Sequence, residues 1–407
     1  MARTVPSRND LVGLARRAAR QAIGRSEPLD HFLRQLRRSD EIVALQREVT
    51  ALRDERDEAN ERLSRAEART AAPSGVTTVP VARSVLPFLS ESAPGHFYSP
   101  VPDLAEIEAQ AGRIFEPHRK LAGIELRAAE QRELFATLAA LAREAPFRRV
   151  PGTAGRYGID NPNYGIGDAS MLAAMLRHLR PRRYFEVGSG FSTAIALDVN
   201  EQHLAGNLEI TAVEPYPELL RSVLRDGDGV EVIATPVQQV PLERFRALEA
   251  NDVLFIDSSH VLKTGSDVHF LYTEVLPLLA EGVVVHIHDV FYPFEYLRHW
   301  VEWGRAWNED YLLHAFLCFN AAFEIMLWNH YLAQCHRELI EAELPAMLEN
   351  TGGALWMRRT GPGVTPPSAP RRGAQRSVPA PRDASGRRAD RGGGGTRTSR
   401  DSSRRAR

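Results

Sequence analysis

The stretch that most constrains the fold of this chain is Tyr184–Thr193, which reads YFEVGSGFST. Its first four residues are typical of a buried strand, and they include the acid Glu186. A Gly-x-Gly turn made of Gly188, Ser189 and Gly190 follows, and a helix begins directly after the turn. This order places backbone N–H groups, a helix N-terminus and a carboxylate around one small space, of the kind in which nucleotide-like ligands bind.

Charge is unevenly distributed along the 407 residues, although the formal net charge is only −1. The segment Gly361–Arg407 contains 12 Arg and 3 Asp, so it carries +9 and the remaining chain must carry −10. A uniformly basic body that binds nucleic acid is therefore not expected, and neither is a specific nucleic-acid partner.

Cysteine content and hydropathy bear on the compartment. Cys318 and Cys335 are the two cysteines of the chain, and they make neither a metal pattern nor a disulfide framework. The N-terminal residues lack the apolar core of a secretory signal, and no apolar run reaches the roughly 20 residues of a membrane span. We therefore expect a cytoplasmic protein without a transmembrane segment.

Composition and periodicity divide the chain into five segments. They are a helical, coiled-coil-like segment over 1–71, a linker over 72–91, a helical preface over 92–149, a core over 150–360 and a disordered tail over 361–407. Apolar residues follow a 3-4-3-4 spacing over 42–66, interrupted by Arg56. This seam predicts a coiled coil through which the protein forms a homo-oligomer, and the alternative is a helix that packs on its own domain.

Short apolar runs alternate with helical segments in the core. Five runs are predicted as parallel strands: Tyr184–Val187, Leu208–Val213, Val230–Ala234, Asp252–Ile256 and Gly282–Ile287. Two later runs, Phe323–Trp328 and Ala354–Arg358, are predicted as an antiparallel edge pair. Strands separated by helices form a parallel sheet with right-handed crossovers, so we expect a doubly wound α/β domain. Asp168 is predicted to N-cap a helix over Ala169–Leu179, and a later helix is predicted over Gly265–Leu279.

Ionisable side chains lie at the ends of four of the five predicted parallel strands. These residues are Glu186, Glu214, Asp257 with His260, and His288 with Asp289. Because the carboxyl ends of parallel strands share one edge of a sheet, the residues should surround a ligand site. Glu214 is placed to accept hydrogen bonds from both hydroxyls of a ribose. Thr193 stands where a dinucleotide-binding motif has its third glycine, which argues against a nicotinamide cofactor.

Two sets of residues resemble a known family over about Phe97 to Arg359. The run from Glu186 to Thr193 resembles the first motif of class I S-adenosylmethionine-dependent methyltransferases. The runs IDSSH (256–260) and VHIHDV (285–290) resemble a subgroup related to macrolide-sugar O-methyltransferases and cephalosporin-hydroxylase-type proteins. The resemblance implies a Rossmann-like, seven-stranded sheet of order 3-2-1-4-5-7-6 with an antiparallel last strand. It also implies a set of cofactor-binding residues for S-adenosylmethionine: Glu186, Gly188, Ser189, Gly190, Glu214 and Asp257.

The resemblance further implies a divalent cation such as Mg²⁺ and a catalytic base. The ligands would be Asp257, His288 and Asp289. His260 and Asp257 would be the catalytic residues, with His260 as the base. His288 departs from the pattern, because the subgroup often has an acid there, and an imidazole suits Mn²⁺, Fe²⁺ or Zn²⁺ better than Mg²⁺. This chemistry is coherent, since the acceptor oxygen must lose a proton as it attacks the sulfonium methyl, and a metal or a histidine assists that loss.

Each of these residues also has a purely structural interpretation. His260 would cap a helix or bond a carbonyl, and Asp289 would be a helix N-cap. His286 is interpreted as a core histidine rather than a ligand. Trp300, Trp303 and Trp307 are interpreted as one packed helix face, and residues 308–311 either line the acceptor pocket or cap a helix.

The sequence favours an O-methyltransferase that acts on a hydroxyl of a sugar, a glycan or a secondary metabolite. Two alternatives remain at this stage. One is a nucleotide-dependent oxidoreductase, and the other is a non-catalytic coiled-coil scaffold that retains a cofactor pocket.

Overall fold

A computed structural model describes residues 85–117, 119–144, 147 and 155–361. The predicted coiled coil with its seam at 42–66 lies outside the described residues, as do the linker up to residue 84 and the tail from residue 362. The predicted boundary near residue 150 also falls in a gap of the described chain.

The described chain is built on a sheet of seven strands. They are β1 (Arg183–Val187), β2 (Glu209–Val213), β3 (Val230–Ile233), β4 (Val253–Ile256), β5 (Val284–Ile287), β6 (Phe323–Trp328) and β7 (Leu355–Arg359). Their order is β3-β2-β1-β4-β5-β7-β6, and β7 pairs antiparallel with both β5 and β6. The implied strand order and the antiparallel edge pair are confirmed, and each predicted strand lies within two residues of an observed one.

Thirteen α-helices surround this sheet in the described residues. They are α1 (Leu86–Glu91), α2 (Leu104–Ala109), α3 (Ala111–Ile114), α4 (Ala128–Glu144), α5 (Ile166–Leu179), α6 (Phe191–His203), α7 (Glu218–Val223), α8 (Leu242–Arg246), α9 (Asp267–Phe270), α10 (Arg298–Glu302), α11 (Glu309–Leu317), α12 (Asn329–Cys335) and α13 (Arg337–Glu343). Within the described ranges, no helix is both long and apolar enough to cross a membrane.

Two predicted helices differ from the observed ones. The helix predicted over Gly265–Leu279 is α9 followed by a π-helical segment, Leu271–Val275, and a 3-10 turn, Leu276–Leu278. The prediction that Asp168 is an N-cap is wrong, because α5 begins at Ile166, two residues before Asp168, and Gly165 holds the cap position. Asp168 instead accepts hydrogen bonds from the backbone N–H groups of Gly353 and Ala354 and from the side chain of Asn329.

The carboxyl ends of the central strands lie at the same edge of the sheet. Val187 pairs with Ile256, and Ile256 pairs with Ile287, so β1, β4 and β5 finish side by side. All residues of β4 and β5 are buried, which means that both faces of the sheet are covered there. The residues that follow these strands therefore meet at one edge of the sheet.

Candidate active site

The turn after β1 packs directly on the backbone that follows β4. Gly188 has a φ of +78°, and its N–H donates to the carbonyl of Val213 at 3.0 Å. A Cβ atom at this position would lie 1.8 Å from the carbonyl oxygen of Asp257, so only glycine fits. The predicted cofactor turn and the predicted catalytic acid are thus contiguous.

Glu186 shapes this turn from beneath. Its carboxylate is fully buried and accepts hydrogen bonds from the hydroxyls of Tyr184 and Thr193. The Thr193 hydroxyl in turn accepts the N–H of Gly190 at 3.2 Å. Burial raises the pKa of Glu186 to about 7, although the hydroxyl hydrogen bonds oppose the shift. Because its carboxylate is fully buried beneath the turn, Glu186 orders the turn rather than presenting an accessible oxygen to a ligand.

Glu214 closes the other side of the turn. One of its carboxylate oxygens accepts the N–H of Ser189 at 3.2 Å, and the other accepts the N–H of Tyr216 at 2.9 Å. The side chain is half-buried, and Tyr216 beside it is exposed. An accessible carboxylate in this position suits the recognition of hydroxyl groups.

His260 lies between carboxylates at the end of β4. Its Nδ1 is 2.9 Å from Glu309, its Nε2 is 3.2 Å from Asp257, and the same Nε2 is 3.8 Å from Asp289. Burial by itself would lower the pKa of His260, but the hydrogen bonds with Asp257 and Glu309 raise it well above 6.5. Burial would likewise raise the pKa of Asp257, yet His288 and His260 hold it below 3.8.

The assignment of His260 as the base stays a prediction, and the geometry shows what surrounds its ring. Both ring nitrogens face carboxylates, which favour the charged form of the ring and its role as a hydrogen-bond donor to Asp257 and Glu309. His260 does not cap the helix that follows it, because Ser266 caps α9. Its backbone carbonyl instead accepts the N–H groups of Asn308 and Glu309 at the start of α11.

His288 and Asp289 follow β5 and lie near Asp257 and His260. We call these four residues the acidic cluster. The Nε2 atom of His288 is 3.7 Å from Asp289 and 3.9 Å from Asp168. Burial alone would lower the pKa of His288, but the charges of Asp257, Asp289 and Asp168 raise it. Burial raises the pKa of Asp289, against the opposing charges of the two histidines. Asp289 starts no helix, because the next helix begins at Arg298, so its interpretation as an N-cap is wrong.

The predicted metal ligands do not form a metal site. In the part of the chain that the structure describes, no three His, Cys, Asp or Glu side chains are arranged to hold an ion. The imidazole of His260 lies between Asp257 and Asp289, where an ion would have to bind both acids. The positive charge that balances the two carboxylates is therefore supplied by protein side chains, and the residues do not fit a divalent cation.

Several neighbours of the cluster were not identified from the sequence. Glu309 is the buried partner of His260, and the sequence pattern around it was compatible with either a pocket wall or a helix cap. Trp307 lies beside His260, with ring centroids 4.4 Å apart. The interpretation of three tryptophans as one helix face is wrong, because α10 ends at Glu302 and Trp307 lies beyond it. His286 is a core histidine as predicted, fully buried and stacked on Phe255 at 4.0 Å.

The sheet order, the glycine turn after β1 and the acid after β2 define the class of this protein, an S-adenosylmethionine-dependent methyltransferase. A family model described as "Methyltransferase domain" matches residues 185–290, which contain the turn, Glu214 and the cluster after β4 and β5. An uncharacterized protein of Archaeoglobus fulgidus is 34% identical over 163 residues, which are 39% of this chain and 74% of that protein. The chain belongs to the same family as this archaeal protein.

Solved structures with similarity to the chain include the following three proteins. The methyltransferase PaMTH1 of Podospora anserina, bound to S-adenosylhomocysteine, is 16% identical with a TM-score of 0.34, over 70% of this chain and 100% of that one. CmcI is 16% identical with a TM-score of 0.30, over 48% of this chain and 72% of that one. The plantazolicin methyltransferase BpumL is 12% identical with a TM-score of 0.32, over 58% and 100%. Scores of this size support no statement about the substrate.

Proposed function

We propose that the protein transfers the methyl group of S-adenosylmethionine to a hydroxyl oxygen of a sugar, a glycan or another small metabolite, as in the O-methyltransferase subgroup that its motifs resemble. The observation that supports this proposal most is the contact between the cofactor turn and the acidic cluster. Gly188 packs on the backbone of Asp257, whose side chain faces His260. The methyl donor and the group that handles the acceptor proton would then be neighbours.

The cofactor would lie along the edge formed by the ends of β1, β2 and β4. Glu214 would accept hydrogen bonds from the ribose hydroxyls, and the N-terminus of α6 with its glycine turn would allow close backbone approach. Glu186 would act through Thr193 by fixing the turn, since its carboxylate is fully buried.

The acceptor would lie over Asp257, His260 and Asp289. The displacement on the sulfonium methyl forms a carbon–oxygen bond and breaks a carbon–sulfur bond, while the hydroxyl proton leaves to the protein. The carboxylates of Asp257 and Asp289 would hold the acceptor hydroxyl and receive its proton. His260, whose ring nitrogens face Asp257 and Glu309, would fix the position of these carboxylates. Trp307 beside His260 would offer a flat apolar surface to a ring of the acceptor.

The test combines binding and product analysis on the full-length protein. Calorimetry with S-adenosylhomocysteine should show binding, whereas a parallel titration with a nicotinamide dinucleotide should show none. Transfer of a labelled methyl group from S-adenosylmethionine to a panel of hydroxyl-bearing sugars and metabolites should then give O-methyl products. Because the acidic cluster does not fit a metal, a chelator should leave that transfer undiminished.

Failure to bind S-adenosylhomocysteine would refute the proposed function. Binding without O-methyl products, or with methylation at nitrogen or carbon only, would refute the acceptor class. Loss of transfer in chelator, restored by a divalent ion, would show that a metal site forms on ligand binding.

A further inference from the structure

Tyr164 carries a buried hydroxyl group at the edge of the candidate site that the proposed chemistry has not used. The residue is 4% exposed, and its phenolic oxygen has no hydrogen-bond partner among the described residues. A buried hydroxyl without a partner is destabilising, so proteins rarely keep one without a reason.

The backbone around Tyr164 is held firmly in place. Its N–H donates to the side-chain oxygen of Asn161 at 2.7 Å. Its carbonyl accepts from the hydroxyl of Tyr157 at 2.7 Å and from the side-chain nitrogen of Asn161 at 2.9 Å. The position of the ring is therefore defined by the loop and does not depend on the hydroxyl.

The ring lies where the strand ends of the site converge. It stacks on His288 after β5, with centroids 5.0 Å apart and planes 17° apart, and it is 6.4 Å from Phe255 in β4. Burial, followed by the charges of Asp168, Asp257 and Glu186, raises the pKa of Tyr164, so the hydroxyl stays protonated and has acids nearby. A neutral hydroxyl oxygen among acids favours a cationic hydrogen-bond donor.

S-adenosylmethionine has two cationic groups, a sulfonium and an α-ammonium, and only the ammonium donates hydrogen bonds. Its amino-acid end would lie near the ends of β1 and β4 if Glu214 holds the ribose. We propose that the Tyr164 hydroxyl is a further cofactor-binding group, which accepts a hydrogen bond from the α-ammonium of S-adenosylmethionine. This inference rests on the proposed function and on its placement of the cofactor.

The substitution Tyr164→Phe tests the inference cleanly, because it removes only an oxygen that has no partner in the protein. Two probes are titrated into the full-length wild type and the variant. S-adenosylhomocysteine has the α-ammonium, and 5′-methylthioadenosine has the nucleoside and the thioether without the amino acid. We expect the affinity for S-adenosylhomocysteine to fall by about tenfold or more, as for a lost hydrogen bond to a charged group. The affinity of the variant for 5′-methylthioadenosine should differ from that of the wild type by no more than about twofold, because the substitution removes no contact with this probe.

A stability measurement separates this role from a structural one. Without ligand, the thermal unfolding midpoint of Tyr164→Phe should equal or exceed that of the wild type, since an unpaired polar group is removed. Tyr157→Phe is the matched control, because it removes a hydroxyl of the same loop that does have a partner, and its midpoint should fall.

Each other outcome is decisive. Equal affinity of the wild type and Tyr164→Phe for S-adenosylhomocysteine would overturn the inference while leaving the proposed function intact. A parallel loss of affinity for both probes would overturn it as well, because the hydroxyl would then not recognise the amino-acid end. If the wild type binds neither probe, the proposed function itself fails.

Discussion

At the scale of single residues, His260 shows how neighbours determine the chemistry of a side chain. The sequence places a histidine three residues after an acid, a spacing compatible with a base. In the folded chain, Glu309 from a segment 49 positions later approaches the other ring nitrogen, and the ring becomes a charged donor. A sequence pattern cannot reveal that second carboxylate, because the contact depends on how α11 packs against the loop after β4.

His260→Ala should reduce methyl transfer by roughly 10²–10⁴-fold, since the carboxylates that receive the acceptor proton would lose the side chain that positions them. Affinity for S-adenosylhomocysteine should be nearly unchanged, because the glycine turn is left intact. His269→Ala is the control, as it removes an exposed histidine from α9, and it should leave transfer unaffected. An unchanged turnover in His260→Ala would show that the cluster has no part in the reaction.

The burial of Glu186 leads to a prediction about how the free energy of unfolding depends on pH. Its pKa is raised by burial from 4.5 to about 7, so the folded state holds this proton more tightly than the unfolded state. The contribution to the free energy of unfolding is therefore greatest below pH 4.5 and declines as the pH rises toward 7, by up to about 3 kcal/mol. Glu186→Gln removes the ionisation.

The difference in unfolding free energy between Glu186→Gln and the wild type should then shift in favour of the variant between pH 4.5 and pH 7. Chemical denaturation at several pH values measures this difference, and the comparison cancels the titration of other groups that both proteins share. A difference that stays constant with pH would mean that the carboxylate titrates normally in the folded state.

At the scale of secondary-structure elements, the parallel strands were predictable because their apolar runs are short and end in polar residues. The sheet order followed from the family resemblance, since nothing in the local pattern specifies which strands pair. The π-helical segment after α9 could not be predicted, because its residues have the apolar spacing of an ordinary helix. Asp168 was also misjudged, because its hydrogen-bond partners belong to α12 and to the residues before β7, far away in the sequence.

The junction of β1 and β4 gives a prediction at this scale. Gly188→Ala should destabilise the fold by about 3 kcal/mol or more, because the new Cβ atom meets the Asp257 carbonyl and the turn must separate from β4. Gly206→Ala is a matched control, with a φ of +77° and nothing within 4 Å of the added atom. It should cost only the backbone strain of about 1 kcal/mol.

Denaturant unfolding of the two variants measures this contrast, and calorimetry with S-adenosylhomocysteine extends it to function. Gly188→Ala should lose cofactor binding, whereas Gly206→Ala should retain it. Equal destabilisation in both variants would mean that positive φ alone, and not the close approach of the two strand ends, requires the glycine at position 188.

At the scale of the whole molecule, the candidate site belongs to the core. The role of the N-terminal segment and of the C-terminal tail is a separate question. The core and the N-terminal segment together carry −10, and the last 47 residues carry +9. The heptad seam over 42–66 predicts association with another helix, because apolar residues at 3-4 spacing form a stripe that only a partner helix covers efficiently. Residues 1–84 lie outside the described structure, so the coiled coil stays a prediction.

The full-length chain tests this prediction without truncation. Leu45→Asp combined with Leu52→Asp places two charges in the seam, where each buried leucine would contribute about 1.5–3 kcal/mol. If the seam joins two or more chains, light scattering should show a fall in molar mass, while the unfolding transition of the core stays in place. Thr50→Asp with Ala51→Asp adds the same charge to the same helix outside the seam, and that pair should leave the mass unaltered. An oligomer that survives the seam substitutions must be held together by other residues, and a monomeric wild type would mean that the seam packs within its own chain.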